Sequence, residues 1–158
     1  MLSLDAHNPP KAEHLRDHDI SLPATPTLPA HSQRRALHRT LFHHRDKNRF
    51  QLHAFVVMPD HIHVLITPAT NESTAKCIQY LKGGYSFAAR KQGEIWHSGY
   101  HEHRIRDAND FISQSRYIAN NPARKQLADH AYVHTRFLDR LDPMHAHLSF
   151  VTNTPATI

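Results

Sequence analysis

The 158-residue chain holds a single cysteine, Cys77, which excludes an internal disulfide framework and fits a reducing cytosol. Its neighbours Ala75, Ile78 and Leu81 mark it as a core thiol, not a nucleophile. No apolar run approaches the ~20 residues that a membrane helix needs. Met1 to Pro10 lack the basic segment and following apolar stretch of a secretory leader. The expectation is a soluble cytoplasmic protein with no membrane partner. No fixed-period repeat is present. Acidic residues are also few, 14 against 19 Lys and Arg, so the net charge is +5 and the isoelectric point near 9.6. That balance favours an anionic partner, nucleic acid being the commonest. The length suits one compact domain.

Along the chain, residues 1–30 carry Pro9, Pro10, Pro23, Pro26 and Pro29 with no sustained period, and the expectation is a mostly disordered or degenerate segment. From Ser32, Ala36, Leu37, Leu41 and Phe42 recur at helical spacing between Arg34, Arg35, Arg39 and Arg45, which predicts a basic amphipathic helix. Two apolar β-type runs, Gln51 to Met58 and His61 to Thr67, flank a Pro-Asp turn and predict an antiparallel hairpin. Ser73 is the expected N-cap of a helix reaching about Arg90, with Gly83-Gly84 inside it marking a kink or a close approach. A strand from Ile95 to Ile105 follows, then a helix capped by Asp107 that runs to Asn120-Asn121-Pro122, then another helix within Ala123 to Asp139. This order predicts α+β with a mainly antiparallel sheet. The catalytic domain is expected over 31–140, with a loose tail over 141–158.

The chain contains 17 histidines, so chance alone supplies about two His-x-His pairs. Three occur, His61/His63, His101/His103 and His145/His147. The first is singled out by its hairpin, where strand alternation points both imidazoles to one face while Ile62 and Val64 enter the core. Tyr117 and Asn121 form a second constellation, four apart on one helix face. Two imidazole nitrogens and one amide oxygen leave open positions on a divalent ion, which suits polarising a phosphate oxygen. A free phenol, with a pKa near 10, is ionised in only about one molecule in a thousand at neutral pH, so a tyrosine nucleophile needs such help.

The sequence resembles the REP-associated tyrosine transposases, within the single-tyrosine HUH transposases of bacterial insertion sequences. Five blocks carry the resemblance in order: Leu52 to Leu65, Ile78 to Ser86, Glu94 to Tyr100, His103 to Asp107, and Tyr117-Ile118-Ala119-Asn120-Asn121-Pro122. It implies a ferredoxin-like antiparallel sheet with helices packed on one face. It implies that His61 and His63 are metal ligands completed by Asn121, that the ion is Mg²⁺ or Mn²⁺, and that Tyr117 joins the 5′ phosphate of cleaved single-stranded or hairpin DNA. Lys82, Arg104, Arg106, Arg124 and Lys125 flank the blocks and are candidates to track the DNA backbone, the alternative for each being a solvated basic face. Trp96 and Tyr100 read equally as core or base-stacking aromatics. Both a monomer and a homodimer are compatible with this reading.

The departures from the family lie at the ends, and after Leu127 the chain shows Ala128-Asp129-His130-Ala131-Tyr132 in place of the usual Leu-Val-x-x-Pro-x-x-Tyr-Pro-like ending. Where members begin with a strand in the sheet centre, this chain has Asp19-Ile20-Ser21-Leu22-Pro23-Ala24-Thr25-Pro26, whose prolines argue against a central strand. The N-terminal strand is therefore expected to be missing or degenerate. Two other functions remain open at this point: a basic DNA- or RNA-binding module that has lost catalysis, and a metallo-phosphoesterase that uses water in place of Tyr117.

Overall fold

The computed structural model describes residues 18–23, 31–88, 96–127 and 130–144. Strand β1 (His18–Pro23) is followed by helix α1 (His31–Asp46), strands β2 (Phe50–Val57) and β3 (His61–Pro68), helix α2 (Thr74–Ala88), strand β4 (His101–Arg104) and helix α3 (Ala108–Arg124). The sheet order is β2-β3-β1-β4, and every neighbouring pair is antiparallel. This is the ferredoxin-like arrangement with one helix added at its end.

The N-terminal strand expected to be missing is present and central. β1 pairs with β3 (Ile20 opposite Val64, Ser21 opposite His63) and with β4 (Asp19 opposite His103). The prolines do not prevent it because Pro23 is the last residue of the strand, opposite the first residue of β3, and Pro26 lies beyond it. A proline at a strand end gives up one ladder donor at most. Residues 1–17 and 24–30, the rest of the segment expected to be unstructured, lie outside the described residues.

The helices also occupy both faces of the sheet, not one. On the first face, Ile62, Val64 and Ile66 join Leu52, Phe55 and Val57 in a core with Leu37, Leu41 and Phe42 of α1 and Cys77, Ile78, Leu81 and Tyr85 of α2. On the second, Leu65 joins Ala54, Val56 and Met58 in a smaller core with Ile105, Ala108, Phe111 and Ile118. The near-continuous apolar runs of β2 and β3 are the sequence correlate, since a strand covered on both sides needs no polar face. His61 and His63 alternate with Ile62 and Val64 and so belong to the α3 side.

Both expected helix caps form. The Lys76 amide donates to Ser73 Oγ at 3.1 Å, and the Asp110 amide donates to Asp107 Oδ1 at 2.9 Å. Of the two glycines in α2, only Gly84 sits at a close approach: a Cβ there would lie 2.8 Å from Thr40 Cγ2 of α1, whereas Gly83 faces open space. β4 is shorter than the strand expected from Ile95 to Ile105, and α3 runs past its expected end, taking Pro122 into its last turn.

No α-helix forms among the described residues of Ala123 to Asp139 beyond the end of α3. Instead Val133 bridges to Val56, the Val57 amide donates to the Tyr132 carbonyl at 2.9 Å, and His130 Nε2 donates to the Val57 carbonyl at 2.7 Å. Two 3₁₀ turns follow, His134–Arg136 and Leu138–Arg140. The segment covers the outer edge of β2, whose backbone groups would otherwise stand unpaired. The tail expected to be loose from 141 is anchored at its start. Asp142 accepts from Arg45 Nη2 at 2.7 Å and Nε at 3.1 Å, and from the Leu52 amide at 2.8 Å. Residues 145–158 lie outside the described residues.

Candidate functional site

The hairpin turn closes with the Met58 amide donating to the His61 carbonyl at 2.8 Å, which starts β3 at His61. From there strand alternation presents His61 and His63 together, their ring centroids 5.0 Å apart and their planes nearly perpendicular at 88°. His61 Nδ1 donates to Asp60 Oδ1 at 2.6 Å. That bond fixes the tautomer and leaves Nε2 as the lone-pair nitrogen, the arrangement a carboxylate gives to ligating histidines. Burial pushes the His61 pKa down against the pull of Asp60. For Asp60, burial raises the pKa, but the hydrogen bond and charge of His61 outweigh it and hold the carboxyl below its ordinary value.

The apolar stripe of α3 seats Phe111 and Ile118 against the sheet. Its roll carries the neighbouring stripe, Tyr117, Asn121 and Arg124 at helical spacing of four and three, past the histidines. The Tyr117 ring meets His63 edge-on, with centroids 5.6 Å apart at 88°. The tyrosine is 40% exposed and so open to a substrate, while Asn121 is buried. Asn121 Nδ2 has no hydrogen-bond partner among the described residues. A buried amide nitrogen left in that condition is unusual, and exchanging the amide's nitrogen and oxygen would put the oxygen in its place, where it could serve a ligand. The guanidinium carbon of Arg124 lies 5.2 Å from the Tyr117 ring centroid. The charge of Lys125 bears on both His61 and Asp60.

Among the described residues, no group of three or more His, Cys, Asp or Glu could hold a metal. The donor set here differs in kind: two imidazoles and an amide. With one tautomer fixed by Asp60 and a buried amide short of partners, these residues fit a divalent cation that keeps open positions.

A network that sequence reasoning missed anchors α3. Asp110, buried in its first turn, lies 3.0 Å from His103 Nε2 of β4 through both oxygens, and accepts from Arg106 Nε at 3.0 Å and the Arg106 amide at 3.1 Å. Burial raises the Asp110 pKa, yet the hydrogen bonds from Arg106 and His103 overcome it and hold the carboxyl low. The only signal for this in the sequence is the four-residue spacing of Arg106 and Asp110.

Two of the expected DNA contacts have partners within the protein. Arg106 is paired with Asp110. Lys82 stands on α2, on the opposite face of the sheet, where its ammonium donates to the carbonyls of His97 and Gly99 at 3.2 Å each. Arg104 is exposed on β4, and only Arg124 and Lys125 of the five stand beside the histidines and Tyr117. Trp96 packs on Tyr85, centroids 5.4 Å apart, and belongs with the core. Tyr100 is 38% exposed. His103 is held by Asp110, and His145 and His147 lie outside the described residues.

The arrangement can be compared with known proteins. An uncharacterized protein of Haemophilus influenzae is 29% identical over a match that covers 43% of this chain and 52% of the relative. The chain thus spans about half the length of that relative. A REP-associated tyrosine transposase, solved bound to a REP hairpin, has a similar fold, with a TM-score of 0.69, 19% identity, and coverage of 87% of this chain and 90% of that one. The sequence profile described as "Transposase IS200 like" matches residues 28–121, more than half of the chain and every residue from the hairpin histidines to Asn121. With that match spanning both constellations, the chain belongs to the IS200-like transposase family.

Proposed function

We propose that the protein nicks single-stranded DNA and transfers the cut strand through a 5′-phosphotyrosine on Tyr117. The observation that carries the reading is the perpendicular contact of the half-exposed Tyr117 ring with His63, 5.6 Å between centroids, which puts the one exposed phenol of α3 beside the paired imidazoles.

In the forward step the Tyr117 oxygen forms a bond to the scissile phosphorus as the bond to the 3′ oxygen breaks. The phenolic proton passes to solvent and the departing 3′ oxygen takes one up, leaving a DNA 3′-OH and a 5′-phosphotyrosine. A 3′-OH then attacks the phosphotyrosine and the steps run in reverse, so no nucleotide cofactor is consumed. His61, His63 and Asn121 would hold Mg²⁺ or Mn²⁺, which when bound polarises a phosphate oxygen. Asp60 keeps His61 in its ligating tautomer, and the apolar seat of α3 keeps Tyr117 in reach of the bound strand.

The substrate class proposed is hairpin-bearing single-stranded DNA of the kind bound by the REP-associated transposase of similar fold, and such a substrate implies work in the cytoplasm at the nucleoid. The central β1 supports the enzyme reading over that of a binder that has lost catalysis. A denaturing gel of the full-length protein, Mn²⁺ and labelled hairpin DNA flanking its own gene tests the proposal. A covalent adduct is expected, absent in Tyr117→Phe and His61→Ala. Hydrolysis that continues without an adduct in Tyr117→Phe would instead support water as the nucleophile.

A further inference from the structure

Most of the arginines near the fold's polar anchors have their charge compensated. Arg45 pairs with Asp142, Arg49 with Glu72, and Arg106 with Asp110. What distinguishes Arg124 is its place beside Tyr117. It is exposed, it makes no ion pair among the described residues, and its guanidinium lies over the ring of Tyr117.

Its place on α3 sharpens the question of what that charge serves. Arg124 is the last residue of the helix, whose C-terminal end carries a partial negative charge, softened because the carbonyls of Asn121, Pro122 and Ala123 accept from the amides of Lys125, Gln126 and Leu127. Tyr117 lies about two turns earlier on the helix, so a phosphate brought to it meets, as its near fixed charge on α3, the Arg124 guanidinium that reaches back over the ring. Lys125 stands on the histidine side, its charge reaching His61 and Asp60, and Arg124 stands on the tyrosine side. A guanidinium can keep its face on an aromatic ring while the N–H groups at its edge donate to phosphate oxygens, which a lysine ammonium cannot do in the same geometry.

We infer that Arg124 is a catalytic residue of strand cleavage, stacked on the nucleophile's ring while it donates to a non-bridging oxygen of the scissile phosphate. The inference rests on Tyr117 being the nucleophile. As the bond from the Tyr117 oxygen forms and the bond to the 3′ oxygen breaks, negative charge accumulates on the non-bridging oxygens of the five-coordinate phosphorus. The fixed positive charge of Arg124 meets it there. Arg124 exchanges no proton, since a guanidinium stays charged at any pH the protein survives.

The test is single-turnover adduct formation at saturating DNA, with the full-length protein, Mn²⁺ and the hairpin oligonucleotide flanking its own gene. An adduct with the wild type that is lost in Tyr117→Phe establishes the nucleophile independently of Arg124; its absence with the wild type defeats both readings. Given the adduct, Arg124→Ala is expected to slow its formation about 100-fold, the cost of removing one donor to a developing oxyanion. DNA affinity should fall by no more than about threefold, as for one backbone contact among several, and Arg124→Lys should recover only part of the rate. Replacing the mapped scissile phosphate by a methylphosphonate removes the oxygen in question. On the diastereomer that lacks it, wild type and Arg124→Ala should react within about threefold of each other. Cleavage of ordinary DNA by Arg124→Ala at the wild-type rate, or a full deficit on both methylphosphonates, overturns the inference. A thermal melt accompanies each variant, and Arg124→Gln replaces the alanine if that protein does not fold.

Discussion

At the scale of single residues, the hairpin histidines are set by a neighbour that contributes no ligand atom. Asp60 accepts from His61 Nδ1, and without it the ring can turn or take the other tautomer, which places the proton on the nitrogen a cation needs. Asp60→Ala should therefore weaken Mn²⁺ affinity by about 10- to 100-fold, the usual cost of removing such a partner, while leaving the thermal melt of the metal-free protein almost unchanged because the carboxylate is exposed. Isothermal titration with Mn²⁺ measures the first and a melt the second. Asp60→Asn keeps an acceptor and should fall between the two.

At the scale of elements, the two adjacent glycines of α2 give opposite predictions. Gly83→Ala adds a methyl where nothing lies within 4 Å, so only the better helix propensity acts and the protein should gain up to about 1 kcal/mol. Gly84→Ala puts the same methyl 2.8 Å from Thr40 Cγ2. Thr40 cannot swing away easily, since its hydroxyl donates to the Ala36 carbonyl at 3.0 Å and its χ1 is stiff. Overpacking of this kind costs about 1–3 kcal/mol, which exceeds the propensity gain, so Gly84→Ala should lower the urea midpoint where Gly83→Ala raises it. The N-terminal anchor of α3 adds a pH dependence. The folded pKa of Asp110 lies below its unfolded value, so its contribution to stability is fully present above the ordinary carboxylate range and is lost as pH falls through the folded value. Urea melts of Asp110→Asn should accordingly show a stability below wild type at neutral pH, with the difference narrowing below about pH 4.

These same elements show what the sequence could and could not disclose. α1, the β2-β3 hairpin, α2 and α3 were legible because each carries a full period of apolar residues with a cap or turn at its boundary. β1 was not, since six residues with a terminal proline hold too short a pattern, and the strand is specified by its partners β3 and β4 far along the chain. The segment after α3 departs from its helical expectation for a related reason: Tyr132 and Val133 are placed by the open edge of β2, a tertiary demand that no local spacing records. In the site, the spacing of His61 with His63 and of Tyr117 with Asn121 was visible at once, while the roles of Asp110, Arg106 and Lys82 depended on which face of the sheet each helix covers.

At the scale of the whole molecule, the fold is closed by contacts between segments far apart along the chain. Asp142 joins α1 through Arg45 and β2 through the Leu52 amide, and the Asp142 amide returns a bond to the Leu52 carbonyl at 2.9 Å. The adjoining His53 sits where the β2-β3 register shifts between Leu52 and Ala54, and an extra residue at such a bulge is left without a ladder partner. Its Nδ1 donates to the Asp142 carbonyl at 3.0 Å, and its Nε2 accepts from the Thr67 hydroxyl at 2.8 Å. Its ring also lies 5.3 Å from Phe111 of α3, so the clasp at Asp142, the bulge and the helix bearing Tyr117 touch in series. Removing the carboxylate orphans the Leu52 amide and leaves the partly buried Arg45 guanidinium its longer pair with Asp46, and Asp142→Ala should cost about 2–3 kcal/mol. The consequence should also reach the site. If the clasp steadies the bulge under Phe111, adduct formation in Asp142→Ala should fall more steeply with temperature than in wild type, well below its melting point. An adduct yield that tracks the folded fraction alone would mean that the clasp contributes only stability and that α3 is seated without it.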